Sequence, residues 1–261
     1  MKVATSIILA RRKSLAELLE NRYLPLAEVC GRLGISQATA RRDLRVLVRE
    51  KRITRTYGGA LGLFDATSTS FADRRAIDQD VKARLAQKAR GFIRENTTCF
   101  FDSGTTIFAL AEALYREQVR GLRAVTNSLP VAEMLGRAKI EVHLLGGRFL
   151  QRQSILLGSA ARRSARLWKF DLVFLGVEGF SRKGIWASEP EVGTFQKTLI
   201  AQAKQVVVCA HAAKFDRETG IFISPWSSKL QLVTDVSPAR RARHGLPVPS
   251  HAPTNMIAGA H

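Results

Sequence analysis

A small helical unit followed by a larger α/β domain with a mostly parallel sheet is the architecture this sequence predicts, and three observations predict it. Residues 1–62 carry apolar positions at helical spacing, broken by turn signals. Residues 73–236 alternate short apolar strands with amphipathic helices. The 261-residue length and 46% hydrophobic content are enough for one large core and one small one. The divisions that follow are 1–62 for the helical unit, 63–72 for a small, polar linker, 73–236 for the α/β domain and 237–261 for a tail.

In the first unit, Ile8, Leu15, Leu18 and Leu19 mark one helix, and Leu26, Val29, Cys30 and Leu33 mark a second after the breaker Pro25. Gly34 can take the left-handed conformation that ends a helix, and Ser36 can cap the next by accepting from its first free amides. On that third helix Ala40, Leu44, Leu47 and Val48 share an apolar side. Ala38, Arg42, Arg45 and Arg49 lie opposite, with Arg41 on the flank. Such a face can be merely solvated. The turn, the cap, the absence of facing carboxylates and the basic stretch Arg52 to Tyr57 together favour a polyanion. A helix-turn-helix of this kind enters the major groove of double-stranded DNA. Arg42 and Arg45 could each contact phosphate or guanine, and Gln37 could read adenine, a good bidentate contact giving about 1–3 kcal/mol of discrimination. Thr39 can bond a phosphate, cap or pack. Arg52 to Tyr57 reads as a strand ending at Gly58-Gly59, a wing closed by a short strand near Tyr23 and Leu24.

Charge agrees. Forty-one Lys and Arg against 22 Asp and Glu give a formal +19, which fits nucleic acid or an acidic membrane surface. Residues 1–62 hold 13 basic and 5 acidic side chains, so the basic charge is densest at the helix-turn-helix. Cys30, Cys99 and Cys209 sit in apolar runs without metal-ligand spacing and read as buried hydrophobes in a reducing compartment. No metal or cofactor is expected. No stretch approaches a membrane span and no signal-peptide pattern opens the chain, so a cytoplasmic protein without a membrane partner is expected.

In the second domain, helices are predicted at Val81 to Phe92, Ile107 to Tyr115, Leu129 to Leu135 and Gly193 to Ala203. Strands are predicted at Thr98 to Phe101, Ala124 to Thr126, Glu141 to Leu145, Leu172 to Leu175, Val206 to Cys209 and Leu230 to Val233. Ligands of such sheets gather at the carboxyl ends of the strands. There Asp102-Ser103-Gly104-Thr105-Thr106 leads into a helix whose free amides and dipole favour an anion. Asn127 in Thr-Asn-Ser, Gly147 in Gly-Gly-Arg and Lys214 after His211 occupy three further loops. Singly these could be a capped helix, a cap, a tight turn and a surface charge. Together they suit a pocket for a small phosphorylated ligand. After Asp235 the chain turns basic and Pro-rich, which predicts disorder.

Ser36-x-x-Thr39-x-Arg41-Arg42-Asp43-Leu44, followed by Arg55-Thr56-Tyr57-Gly58-Gly59-Ala60, resembles the winged helix-turn-helix signature of the DeoR family of bacterial transcriptional regulators, with Tyr57 where the family more often has His. The order Asp-Ser-Gly-Thr-Thr, Thr-Asn-Ser, Leu-Gly-Gly, Phe174-Leu175-Gly176, Ala213-Lys214-Phe215 and Val233-Thr234-Asp235 resembles the same family's C-terminal sensor domain, which is similar in fold to sugar-phosphate isomerases and CoA transferases. The resemblance implies a DNA-binding regulator, most often a repressor and an oligomer, controlled by a phosphorylated sugar or related metabolite. Carried over, it assigns Ser36, Gln37, Thr39, Arg41, Arg42, Arg45, Arg55 and Tyr57 to DNA. It assigns Asp102, Ser103, Gly104, Thr105, Thr106, Asn127, Gly147 and Lys214 to the effector. The family commonly has Asp-x-Ser-Lys where this chain has His211 to Lys214, and Gly-Ile-Asp where it has Gly179 to Ser181, which implies a non-standard or weakened effector. Two other functions fit the same residues: a sugar-phosphate isomerase-like enzyme using Asp102, Glu189 or Glu191 as base, and a constitutive DNA binder whose sensor has lost its ligand.

Overall fold

The computed structural model describes residues 5–19, 23–50, 53–56, 59–62, 71–117, 119–151 and 153–247. The chain opens with α1 (Thr5–Leu19), β1 (Tyr23–Pro25), α2 (Leu26–Leu33) and α3 (Gln37–Arg49), then β2 (Ile53–Thr56) and β3 (Gly59–Gly62). Leu15 and Leu19 of α1, Val29 of α2, and Ala40, Leu44 and Leu47 of α3 form one buried cluster. Gly34 takes φ +61, and the Ile35 amide donates back to the Cys30 carbonyl at 3.2 Å, so α2 ends where the sequence places the turn. Val48, expected on the apolar side, is exposed at the margin of that face.

The three strands form an antiparallel sheet in the order β1-β3-β2, with Leu24 opposite Ala60 and Arg55 opposite Ala60 from the other side. The closing strand near Tyr23 therefore pairs with Gly59–Gly62, not with the strand at Arg55. That middle strand escapes a reading by composition because two of its four residues are glycine, which disfavours strand; its pairing on both edges forms it nonetheless.

The second domain begins with α4 (Phe71–Ala76), so Phe71 and Ala72 belong to a helix and not to the linker. Then come α5 (Gln79–Arg90), β4 (Thr98–Phe101), α6 (Thr105–Arg116), β5 (Arg123–Thr126), α7 (Leu129–Arg137), β6 (Glu141–Leu144), β7 (Arg148–Leu150), β8 (Ile155–Leu157) and α8 (Ser159–Arg166). The chain continues through β9 (Phe170–Gly176), β10 (Gly179–Ser181), β11 (Gly184–Ala187), α9 (Pro190–Gln202), β12 (Ala203–Cys209), β13 (Ile221–Ser224), β14 (Leu230–Val233) and α10 (Pro238–Arg243). Six strands form one parallel sheet in the order β14-β12-β9-β4-β5-β6.

Successive strand residues point to opposite faces. Phe101, Leu172, Phe174, Val207 and Cys209 pack on one side with residues of α5, α6 and α7. Phe100, Val173, Leu175, Val206 and Val208 pack on the other with α8, α9 and the small antiparallel sheet β10-β11-β13. Burial on both faces is why these strands read as unbroken apolar runs. It also pushes the Cys99 and Cys209 thiols up to about 12, leaving them inert as nucleophiles.

The basic tail departs from the expected disorder over residues 237–247. Ser237 caps α10 by accepting from the Arg240 amide at 3.3 Å, with Pro238 in the first turn. Buried Arg241 donates to the carbonyls of Leu232 and Thr234, and Leu246 joins the core. A cap, a proline and one apolar anchor outweigh the polar composition there. Residues 248–261 lie outside the described residues.

Candidate functional site

The first candidate surface is α3. Ser36 caps it: its Oγ accepts from the Thr39 amide at 3.3 Å and lies 3.0 Å from the Thr39 hydroxyl. Ser36 and Thr39 thus serve the helix start. Gln37, Arg41, Arg42 and Arg45 are all exposed. Arg41 reaches toward the side-chain Oε1 of Gln37 at 3.5 Å, and Arg45 Nε donates to the Arg41 backbone carbonyl at 3.3 Å. Arg55 stands in β2, and Tyr57 lies outside the described residues.

One residue of this helix belongs to the signature but has no role assigned by it. Asp43, only 1% exposed, accepts from Arg11 Nε at 2.6 Å and from Arg12 Nε at 3.0 Å, both on α1. Its position between Ala40 and Leu44 on the inward face was the available signal, since a carboxylate there must find cations or be expelled. The pair fixes α3 against α1 through a bond stiffer in direction than apolar packing.

The second candidate is a cavity at the carboxyl ends of β4, β9 and β12, where the chain leaves β4 for β5 on one side and β9 flanks it on the other. This reversal of strand order is the usual ligand position in such sheets. Ser103, Gly104, Thr105 and Thr106 line it as expected, together with Lys214 and His211. Gly104 is the N-cap of α6 and supplies no side-chain acceptor, so no side chain caps the first amides of a twelve-residue helix beside the cavity. Gly104 and Gly176 approach so closely that a Cβ on Gly176 would lie 3.2 Å from the Gly104 Cα. Two glycines bring the start of α6 against the end of β9.

Asp102 also lines the cavity, but its oxygens are committed. They accept from the amides of Ser103 at 2.8 Å and Gly176 at 3.2 Å and from Gln196 Nε2 at 2.8 Å. Burial raises its pKa, and these donors oppose the rise. It is a clamp joining β4, β9 and α9. Gln196, only 3% exposed, spends both amide protons on Asp102 and the Gly176 carbonyl, which leaves its Oε1 buried without a partner at the cavity.

Asn127 and Gly147 are not among the residues lining the cavity. The hairpin β7-β8 intervenes: Asn127 Nδ2 donates to the Leu156 carbonyl at 3.1 Å, and a Cβ on Gly147 would meet the Leu157 carbonyl oxygen at 2.5 Å. Both residues seat that hairpin, which sends Gln153 and Ile155 to the cavity in their place. Ser181 is likewise elsewhere, its hydroxyl bonded to Glu218 at 3.0 Å. Of the two departures from the family pattern, only His211 faces the cavity. Sequence patterning missed Arg74, Asp78 and Lys82, which form a wall from the α4–α5 corner, and Glu178 after β9. The His211 Nδ1 lies 3.7 Å from Asp78 Oδ2, and burial, aided by Lys214, lowers the imidazole pKa.

A capped helix with an exposed basic face, and a separate domain with a helix start open to a cavity, define a DNA-binding regulator with an attached sensor. Residues 11–63 match the DeoR-like helix-turn-helix domain, and residues 77–236 match the DeoR C terminal sensor domain. The chain belongs to the DeoR family of transcriptional regulators. It is 30% identical over 76% of its length to the HTH-type transcriptional repressor GlcR of Bacillus subtilis, covering 76% of that protein. It is 29% identical to the glycerol-3-phosphate regulon repressor of Escherichia coli, over 87% of this chain and 91% of the relative. Among solved structures, ribose 5 phosphate isomerase A from Neisseria gonorrhoeae is 21% identical over 55% of this chain and 56% of its own, with a TM-score of 0.41. No helix among the described residues is long and apolar enough to cross a membrane.

Proposed function

We propose that this protein is a repressor whose affinity for its operator is set by a phosphorylated sugar or related metabolite bound in the cavity. The observation that carries the reading is the uncapped start of α6 at Gly104 to Thr106, facing a cavity that also holds Lys214. Amides, threonine hydroxyls and an ammonium suit a phosphate, while the unpartnered Gln196 Oε1 suits a ligand hydroxyl. The names of relatives such as the glycerol-3-phosphate regulon repressor support the same ligand class. Control of DNA binding requires that the ligand favour one arrangement of the protein over another. Pairing of reading heads on repeated half-sites supports a homo-oligomer on double-stranded DNA.

Regulation is favoured over catalysis by the state of the carboxylates. Asp102 is saturated with donors, Glu189 accepts from Gln153 at 3.0 Å, and Glu191 pairs with Arg148 at 2.6 Å. A base must reach the carbon acid of its substrate, and these three are otherwise engaged. The test is a mobility shift on the DNA upstream of the protein's own gene, with and without a panel of sugar phosphates. Release by one phosphorylated compound and not by its dephosphorylated form is the expected result. Binding untouched by every phosphorylated compound would leave a constitutive binder, and turnover of any of them would establish an enzyme.

A further inference from the structure

The α4–α5 corner contains an arginine that nothing in the cavity neutralises. We propose that Arg74 binds the phosphate of the ligand from the α4 side, opposite in charge and complementary in shape to the oxygens that the start of α6 leaves open; this rests on the reading of the cavity as a phosphate site. Arg74 lines the cavity, its Nε is buried without a hydrogen-bond partner, and no ion pair among the described residues involves its guanidinium. Its neighbour Arg75 shows the contrast. That side chain pairs with Glu112 at 2.6 Å and lies 4.4 Å over the Phe108 ring, so it is fully accounted for on the surface of α6.

The corner holds Arg74 in place. Lys82, buried, donates its ammonium to the carbonyls of Arg74 and Ile77, closing the carboxyl end of α4. Asp78 takes the left-handed conformation at φ 50, gives α5 no side-chain cap, and turns its carboxylate to His211. Of the carboxylates lining the same cavity, Asp78 faces His211, Asp102 is occupied by amides, and Glu178 forms no ion pair with Arg74. A guanidinium partly withdrawn from water without an acceptor is a poor arrangement unless an anion completes it. A phosphate carries more acceptor sites than the amides and hydroxyls at Thr105 and Thr106 can fill, and the guanidinium fork matches the remainder. A ligand held by both would join α6 to α4, the first helix after the segment that leads in sequence from β3.

Thermal melts of the full chain in rising inorganic phosphate, at ionic strength held constant with chloride, test the assignment. Native protein should be stabilised saturably. Arg74→Gln should keep its basal melting temperature and need at least tenfold more phosphate for the same shift, while Arg84→Gln, exposed on α5 and outside the cavity, should behave as native. If Arg74→Gln lowers the basal melting temperature, Arg74→Lys takes its place, keeping the charge without the fork, and should need at least threefold more phosphate. A variant that responds like native overturns the role of Arg74 and leaves the phosphate site standing. Native protein that does not respond overturns both.

Discussion

Replacing Asp43 with Asn should loosen the DNA-reading helix without touching its outer face. The carboxylate is buried at 1% exposure and accepts from Arg11 and Arg12, whose side chains retain 22% and 21% exposure. Asparagine keeps one neutral acceptor, so one hydrogen bond survives in weaker form and the other becomes a donor facing a guanidinium. Removing one partner of a buried ion pair costs about 3–5 kcal/mol. Because both arginines keep some water, the cost falls to the bottom of that range or just below it, about 2–3 kcal/mol. A unit of this size has only ~3–9 kcal/mol of stability in total at the usual values per residue, so the loss is a large share. Hydrogen exchange in the full chain, followed on peptides from α1 and α3, should accelerate roughly 30- to 150-fold, a tenfold change corresponding to about 1.4 kcal/mol. Peptides from α6 should exchange as before. Unchanged protection in α3 would refute the claim that this pair holds the reading helix.

Three further outcomes follow from the geometry. Arg42→Ala should weaken operator binding with no loss of thermal stability and lower the salt slope of binding by about one if the side chain contacts phosphate; equal affinity at all salt concentrations would exclude Arg42 from the interface. His211 has its pKa lowered below 6.5 by burial, so the unfolded chain takes up a proton first as pH falls, and native stability is full above about pH 6.5 and declines below it. His211→Gln should flatten that decline in thermal melts between about pH 7 and 5, and an unaltered slope would show that another group is responsible. Gly176→Ala places a methyl 3.2 Å from the Gly104 Cα, which should displace the start of α6 and weaken phosphate-induced stabilisation severalfold; isothermal titration with the identified ligand giving a native Kd would show that the site tolerates the shift.

Most of the fold was legible because its signals are periodic. Continuous apolar strands such as Val206 to Cys209 announce burial on both faces, and Gly34 with Ser36 announces a turn and a cap through backbone chemistry alone. What escaped were elements whose residues are chosen by partners distant in the chain. The middle strand Gly59–Gly62 has poor intrinsic propensity and is made by its two neighbours. The hairpin β7-β8 is short, and its intrusion is what separates Asn127 and Gly147 from the cavity. In the cavity itself, the start of α6 and Lys214 could be read because loops after strands are where ligands collect. Arg74, Lys82 and Gln196 could not, since each lies in a helix where a polar residue looks like surface until the fold turns it inward.

The docking of α10 separates two meanings of a domain's end. A chain ended at Val236 would contain every strand of the parallel sheet, yet it would lose Leu246 from the core and leave the Leu232 and Thr234 carbonyls without the guanidinium of Arg241. The sheet is complete at its last strand, but two carbonyls at and just after the end of that strand take a donor from what comes after. Any shortened form of the protein, or any fusion at its carboxyl end, therefore inherits a thermodynamic boundary about ten residues beyond the topological one.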